Sequence, residues 1–400
     1  MPVLSFDLAR VRGLYPTLGA GTAHLEGPFG ALQPESVIRA IIATLRSSPA
    51  QPGSRSSRSQ RTASSVQNAR RAVADLVGTT PDSVVLGASQ ASLQMRFARL
   101  LSHDWQLGDE IVLSRMDSDS TVQPWVRAAR SAGGIARWAE VDLETGELPT
   151  WQYEHLINEL TRVVTVPLGN PAIGTVPDVR AIADLAHRHG ALVLVDAGAA
   201  VPHLPLSLTD LGADLLSFSA ASFGGPTVAA VAARPGLLPD IDGDLRLPAP
   251  QRFEVGPLPI ELVDGLTAAI DHLAELSMGL PGTRRDRVLE GVASAGEHTR
   301  HLYERLDSGL RGARGVTVLG TAAQRLPVAA FTVSGFSPDH VGDFLQRQGV
   351  SVWTGPTGMT ELVSAFGVDE LGGAVFAGLM PYTAQHEVDQ LLSALDDLVP

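Results

Sequence analysis

The sequence predicts an α/β protein: a mainly parallel sheet of seven strands covered on both faces, followed by a smaller α+β unit. Three observations carry this. Between residues 80 and 235, short β-rich runs alternate with helical patterns, and repeated strand–helix–strand units of that size imply parallel pairing. The runs are apolar almost throughout, the pattern of strands buried on both faces. After about residue 255 the texture changes to two long helical stretches and then short strands and helices.

Taken in order, the strands are expected at Val84–Leu86, Glu110–Ser114, Ala136–Val141, Arg162–Pro167, Leu192–Asp196, Leu215–Ser219 and Val228–Ala233. Between them lie helices Ala91–Leu101, Thr121–Ser131 and Asp178–His189. The last opens just after Pro177 and ends before Gly190, both boundary signals. Beyond residue 255, helix is expected over Ile260–Met278, before Pro281 and Gly282, and over Arg285–Leu310, before Gly312. Strands Val316–Leu319 and Val328–Val333, helix Pro338–Arg347, strands Ser351–Trp353 and Ala374–Leu379, and helix Ala384–Leu398 complete the chain. No internal repeat is present.

Composition excludes whole classes of chemistry. The 400 residues carry 30 Lys+Arg against 43 Asp+Glu, a net charge of −13, and 44% are hydrophobic. That apolar share excludes general disorder, and the acidic balance argues against a general nucleic-acid binder. There is no cysteine, which removes disulfides, thiolate nucleophiles and Cys-ligated metal sites. There is also no lysine, so all 30 basic residues are arginine. A guanidinium keeps its proton and makes a poor nucleophile, so no side chain can form a Schiff base. A P-loop is excluded for the same reason. No signal peptide or membrane span is expected, and the plain reading is a cytoplasmic protein.

Ser47 to Arg71 stands apart, rich in Ser and Arg and carrying Arg55, Arg58, Arg61, Arg70 and Arg71. Two readings are open: a mobile surface loop leading into a helix that begins near Ser64 or Ser65, or an arginine-lined mouth for an anionic ligand. His187 and His189, two apart on a helix, point to nearly opposite sides and cannot share an ion. Glu297, His298, His301 and Glu304 have one-face spacing but read as a solvated face, and His203 reads as structural. Trp105, Trp125, Trp138, Trp151 and Trp353 read as packing or interface residues. No Gly-x-Ser-x-Gly elbow is present.

Three motifs then point to a family. GDEIVLSRMDSDSTVQPW (Gly108–Trp125), NPAIGTVPDVRAIADLAHRHGALVLVDAGAAVPH (Asn170–His203) and GADLLSFSAASFGGP (Gly212–Pro226) occur in that order. With the opening FDLARVRGLYPTL and the closing YTAQHEVDQLLSAL, the chain resembles class V aminotransferases, more closely the cysteine desulfurase-like group. The resemblance implies the pyridoxal-phosphate (PLP)-dependent transferase fold type I. It implies an N-terminal segment over 1–20 packing on the small domain, a large domain over 21–257, and a linking helix with a small α+β domain over 258–400. It also implies a homodimer.

The resemblance does not extend to the chemistry. The family's Schiff-base lysine falls on Ser222, and its neighbouring His or Tyr on Ala221. The His that stacks on the cofactor ring falls on Ser118. The Asn of Ser-Asn-x-x-Gly-Thr falls on Pro171, and the residue reaching the phenolic oxygen on Ala199. A Gly-Thr from the partner subunit reads Gly256-Pro257, and the arginine for the substrate carboxylate reads Trp353 or Phe376. What survives is Asp196, at the position pairing with the pyridinium nitrogen, and the Gly87-Ala88-Ser89 turn before a helix N-terminus. The implied cofactor contacts are therefore vestigial: Ala88, Ser89, Ser118, Asp196, Ser219 and Ser222. No covalent PLP is expected and free PLP binding should be weak or absent.

Two functions follow as expectations. One is a non-catalytic homodimer that acts through binding or scaffolding, with no catalytic residue, no metal, and neither nucleic acid nor membrane as partner. The other is an enzyme of the same fold using non-covalent PLP or pyridoxamine phosphate, or another small anionic ligand, in the retained cleft with arginines from the Ser/Arg-rich segment.

Overall fold

A computed structural model describes residues 6–19, 21–27, 29–241, 247, 249–254, 256–277, 279, 281–355 and 358–399. The large sheet contains β1 (Val84–Gly87), β2 (Glu110–Ser114), β3 (Ile135–Ala139), β4 (Thr161–Pro167), β5 (Leu192–Asp196), β6 (Leu215–Ser219) and β7 (Ala229–Ala233). Their spatial order is β1-β7-β6-β5-β4-β2-β3. The four pairings from β6 to β3 are parallel, whereas β7 is antiparallel to both its neighbours. Six strands therefore share one direction and end at one edge of the sheet, where ligand sites of open α/β sheets form.

Alternate residues of each strand feed two cores. Val193, Val195, Leu216 and Phe218 pack into the core under helices Ser57–Val77, Val179–Arg188 and Ile260–Glu275. Leu194, Leu215 and Val231 face the opposite core, with Phe97 and Trp125 from helices Gln90–Leu101 and Asp119–Ser131. Both faces being covered explains why these strands read as continuous apolar runs.

The second unit is a four-stranded antiparallel sheet in the order Trp353–Gly355, Ala374–Gly378, Val328–Val333, Val316–Leu319. Helix Arg284–Gly312 starts at a capping box formed by Thr283 and Asp286, and packs Leu306 and Leu310 against Leu391 and Leu395 of helix Gln385–Leu398. Near the start of the chain, Arg12 pairs with Glu387 at 2.7 Å and donates to the Tyr382 carbonyl at 2.8 Å.

Most element boundaries fall within two residues of those expected, and several readings need correction. The Ser351–Trp353 strand is two pieces: Val350–Ser351 pairs in parallel with Ala23–His24, and Trp353–Gly355 joins the four-stranded sheet. Short-range pattern does not reveal that switch of partner. The helix expected near Ser64 begins at Ser57, because Ser56 accepts from the Ser59 amide and caps it seven residues earlier. Arg70 is not a surface arginine. It is buried, with Nη1 donating to the Val84 carbonyl at 2.6 Å and Nη2 to both Glu254 oxygens. Helix Glu35–Arg46 lies outside every expected element. The helix over Ile260–Met278 ends at Glu275, and Met278 lies outside the described residues.

Candidate functional site

Four of the expected site residues converge at the C-terminal edge of the sheet. Asp196 ends β5. Ser118 follows β2, whose end is sealed by Asp117, and opens helix Asp119–Ser131. Ser219 ends β6 and leads into the short turn Ala220–Phe223 that carries Ser222. Gly224 closes that turn at φ 87°, and a Cβ there would lie 2.7 Å from the Leu32 carbonyl oxygen, so the position accepts only glycine.

Together they line a cavity of about 230 Å³ with Phe29, Gln90, Met116, Ser120, Pro171 and Ala199. Ala88 and Ser89 are exposed and outside this lining. Ser89 instead caps helix Gln90–Leu101, accepting from the Ser92 amide at 3.2 Å. None of Arg55, Arg58, Arg61, Arg70 or Arg71 lines the cavity either. Among the described lining residues Asp196 is the only charged group.

The polar atoms form a directed network. Ser118 Oγ donates to Asp196 Oδ2 at 3.1 Å and lies 2.7 Å from Ser120 Oγ. The Gly198 amide donates to Asp196 Oδ1 at 3.1 Å. Ser222 Oγ lies 2.7 Å from the Gly198 carbonyl and 2.8 Å from that of Ser219, so its proton is spent on backbone. Burial pushes the Asp196 carboxyl above the ordinary range, opposed by the Gln90 side chain and by hydrogen bonds from Gly198 and Ser118.

Below this floor is Asp117, fully buried. Its Oδ2 accepts from the Ser114 amide at 2.7 Å, the Ser114 hydroxyl at 3.1 Å and Thr165 at 2.9 Å. Its Oδ1 has no hydrogen-bond partner. Burial, with the Asp196 charge adding a little, raises its pKa to about 6 against those hydrogen bonds. Asn170 is likewise buried, donating to the Met116 carbonyl at 3.0 Å and accepting from the amides of Ala172 and Ile173.

Sequence reasoning missed Phe29, Gln90 and Ser120. Gln90 and Ser120 each sit one or two residues from a named position, so helix starts facing the strand ends were the available signal. Phe29 comes from a distant segment, and no local pattern marks it. The other singled-out groups lie apart from the cleft. His187 bonds Asp214 at 2.9 Å and His189 bonds Glu159 at 3.0 Å, so the two do turn to different partners. His298 donates to the Thr383 carbonyl at 2.9 Å and stacks on Phe6, which makes it a packing residue instead of part of a solvated face. Among the described residues no group of three or more His, Asp or Glu is placed to hold a metal ion. No described helix is long and apolar enough to cross a membrane.

With this geometry, comparison places the chain: it belongs to the aminotransferase class-V family, whose model matches residues 25–391. It is 38% identical over 399 residues to an uncharacterized protein of Mycobacterium tuberculosis, covering 99% of this chain and 100% of that one. It is 30% identical over 418 residues to a probable cysteine desulfurase of Aeropyrum pernix, covering 98% of each. In fold it is similar to the cysteine desulfurase CsdA of Escherichia coli, with a TM-score of 0.85 at 22% identity over 98% of both chains. The cysteine desulfurase of Thermococcus onnurineus is similar at a TM-score of 0.86 and 23% identity, again over 98% of both.

PLP is the cofactor of this family. The residues present do not fit it as an imine. Ser222 has no amine and its hydroxyl is held by backbone carbonyls. Ser118 offers no ring face, Pro171 and Ala199 offer no side-chain polar atom, and among the described lining residues there is no cation to meet a phosphate. Only Asp196 retains a matching group.

Proposed function

We propose that this chain is a class V aminotransferase-family protein that does not carry out Schiff-base chemistry and instead works by binding, as a cytoplasmic homodimer. The observation supporting this reading most is Ser222: the position that resembles the cofactor lysine is a hydroxyl bonded to Gly198 and Ser219, in a chain without lysine. Without a primary amine in the cleft the cofactor aldehyde has no covalent anchor. Cysteine desulfuration also lacks its thiol carrier, since the chain contains no cysteine. Helix Glu35–Arg46 supports self-association, leaving Ile42 and Leu45 exposed at 41% and 56% on an amphipathic face.

The alternative, an enzyme holding PLP, pyridoxamine phosphate or another anion without a covalent bond, draws on Asp196 alone. Spectroscopy of the purified protein incubated with PLP and amino acids tests between them. No bound-cofactor absorption band and no amino-acid turnover are expected; turnover would overturn the proposal. Light scattering coupled to gel filtration is expected to give twice the chain mass.

A further inference from the structure

The cleft is lined by acceptors, and its charge is uncompensated. Ser118 and the Gly198 amide spend their hydrogens on Asp196, and Ser222 spends its hydrogen on backbone carbonyl. With Ser118 donating to Asp196, Ser120 must donate to Ser118 across their 2.7 Å contact. Gln90 Nε2 donates to Ser217 Oγ at 3.2 Å, and its side chain also serves Asp196. What remains toward the cavity is lone pairs on Ser118, Ser120, Ser222 and Asp196, beside one hydroxyl hydrogen on Ser219, whose oxygen accepts from the Ala221 amide. A ligand placed there must bring most of the donors.

Charge agrees with this count. Asp196 has no arginine, histidine or lysine beside it among the described lining residues. Asp117 adds a second carboxyl close behind, completely buried and with one oxygen lacking any partner. Two carboxyl groups at the base of a low-dielectric cleft attract a cation and repel a phosphate or carboxylate. The same cavity has an aromatic side chain in its lining. Phe29 lines the cavity and packs against Trp353 at 5.6 Å and Phe376 at 6.0 Å between ring centroids. An aromatic ring and a carboxylate lining one cavity are the combination that holds an organic ammonium group.

The geometry points to a binding site for a small organic ammonium ion, seated between Asp196 and Phe29 with its N–H groups on the serine oxygens. This rests on the proposed binding role, and deepens it by naming the ligand class. The cavity, about 230 Å³, suits a metabolite-sized amine, being smaller than drug-sized sites of about 300–1,000 Å³.

Calorimetric titration of the full chain tests this, with ethanolamine, putrescine and tetramethylammonium as cations and inorganic phosphate, acetate and PLP as anions. At least one ammonium ion is expected to bind, with affinity at least tenfold lower in Asp196→Asn and several-fold lower in Phe29→Leu. Circular dichroism of both variants establishes that they are folded, and either one suffices for the comparison. Absence of binding by all three ammonium ions, unchanged affinity in the folded variants, or binding of an anion in their place would overturn the ligand class. None of these results touches the binding role itself, which fails separately if PLP becomes fixed by borohydride on a cleft peptide.

Discussion

Ser222 Oγ lies 2.7 Å from the Gly198 carbonyl oxygen, so the side chain after β6 ties down the loop after β5 that carries Asp196. A position suited to reach a cofactor is thus used to fix backbone. Substitution Ser222→Lys removes this tie, at about 1 kcal/mol, and puts an amine into the cleft. Borohydride reduction after PLP incubation should then label the peptide containing residue 222. Amino-acid turnover should remain absent, because Ser118, Pro171 and Ala199 supply none of the other contacts. Peptide mapping and a turnover assay check both halves.

Asp117 gives the site a pH signature. Its folded pKa, raised to about 6, exceeds the unfolded value of about 3.9. The folded state therefore holds the proton more tightly, and this group adds stability as pH falls from above 6 toward 4. Asp117→Asn keeps an oxygen to accept from Ser114 and Thr165 while removing the buried charge. It is expected to raise stability at pH 7.5 by roughly 1–3 kcal/mol and to flatten the pH dependence between 5 and 7. Denaturant melts across that range measure the effect.

His203 and His272 act in the opposite direction. Both are buried, and burial lowers their pKa values to about 3 and about 4. His203 Nε2 has no partner, and His272 is held through Nε2 by Tyr15 at 2.8 Å. Both are neutral when folded, so the stability they provide is present above the unfolded pKa of about 6.5 and is lost as pH falls toward 4. The loss should reach roughly 2–3 kcal/mol for each by pH 4.5, at 1.36 kcal/mol per pH unit. His203→Gln should reduce the acid slope in a pH series of thermal melts.

The Arg70–Glu254 pair should be the most costly contact to break. Arg70 is 2% exposed, and Glu254 also accepts from the Leu86 amide at 3.0 Å. Arg70→Ala strands a buried carboxylate and the Val84 carbonyl, and should cost about 3–5 kcal/mol. Arg70→Ala with Glu254→Gln should recover part of that loss in urea melts.

Legibility in the sequence followed the range of the forces involved. The seven strands were readable because burial on both faces makes each a local apolar run, and β2, β5 and β6 fell on their expected residues. Ser118, Asp196, Ser219 and Ser222 were locatable because each ends a strand or begins the next helix. Phe29 was not, since only tertiary packing on Trp353 and Phe376 brings it to the cleft. Arg70 was misread because its partner Glu254 is 184 residues away, and composition alone made the segment look solvated. Ser89 was placed at the right turn, yet its hydroxyl serves the Ser92 amide and not the cavity.

The most direct test of the central claim is peptide mapping of the unmodified protein after saturation with PLP and reduction by borohydride. No pyridoxyl group is expected on any peptide from residues 84 to 226, since the chain has no lysine. A stoichiometric pyridoxyl adduct within that range would contradict that claim.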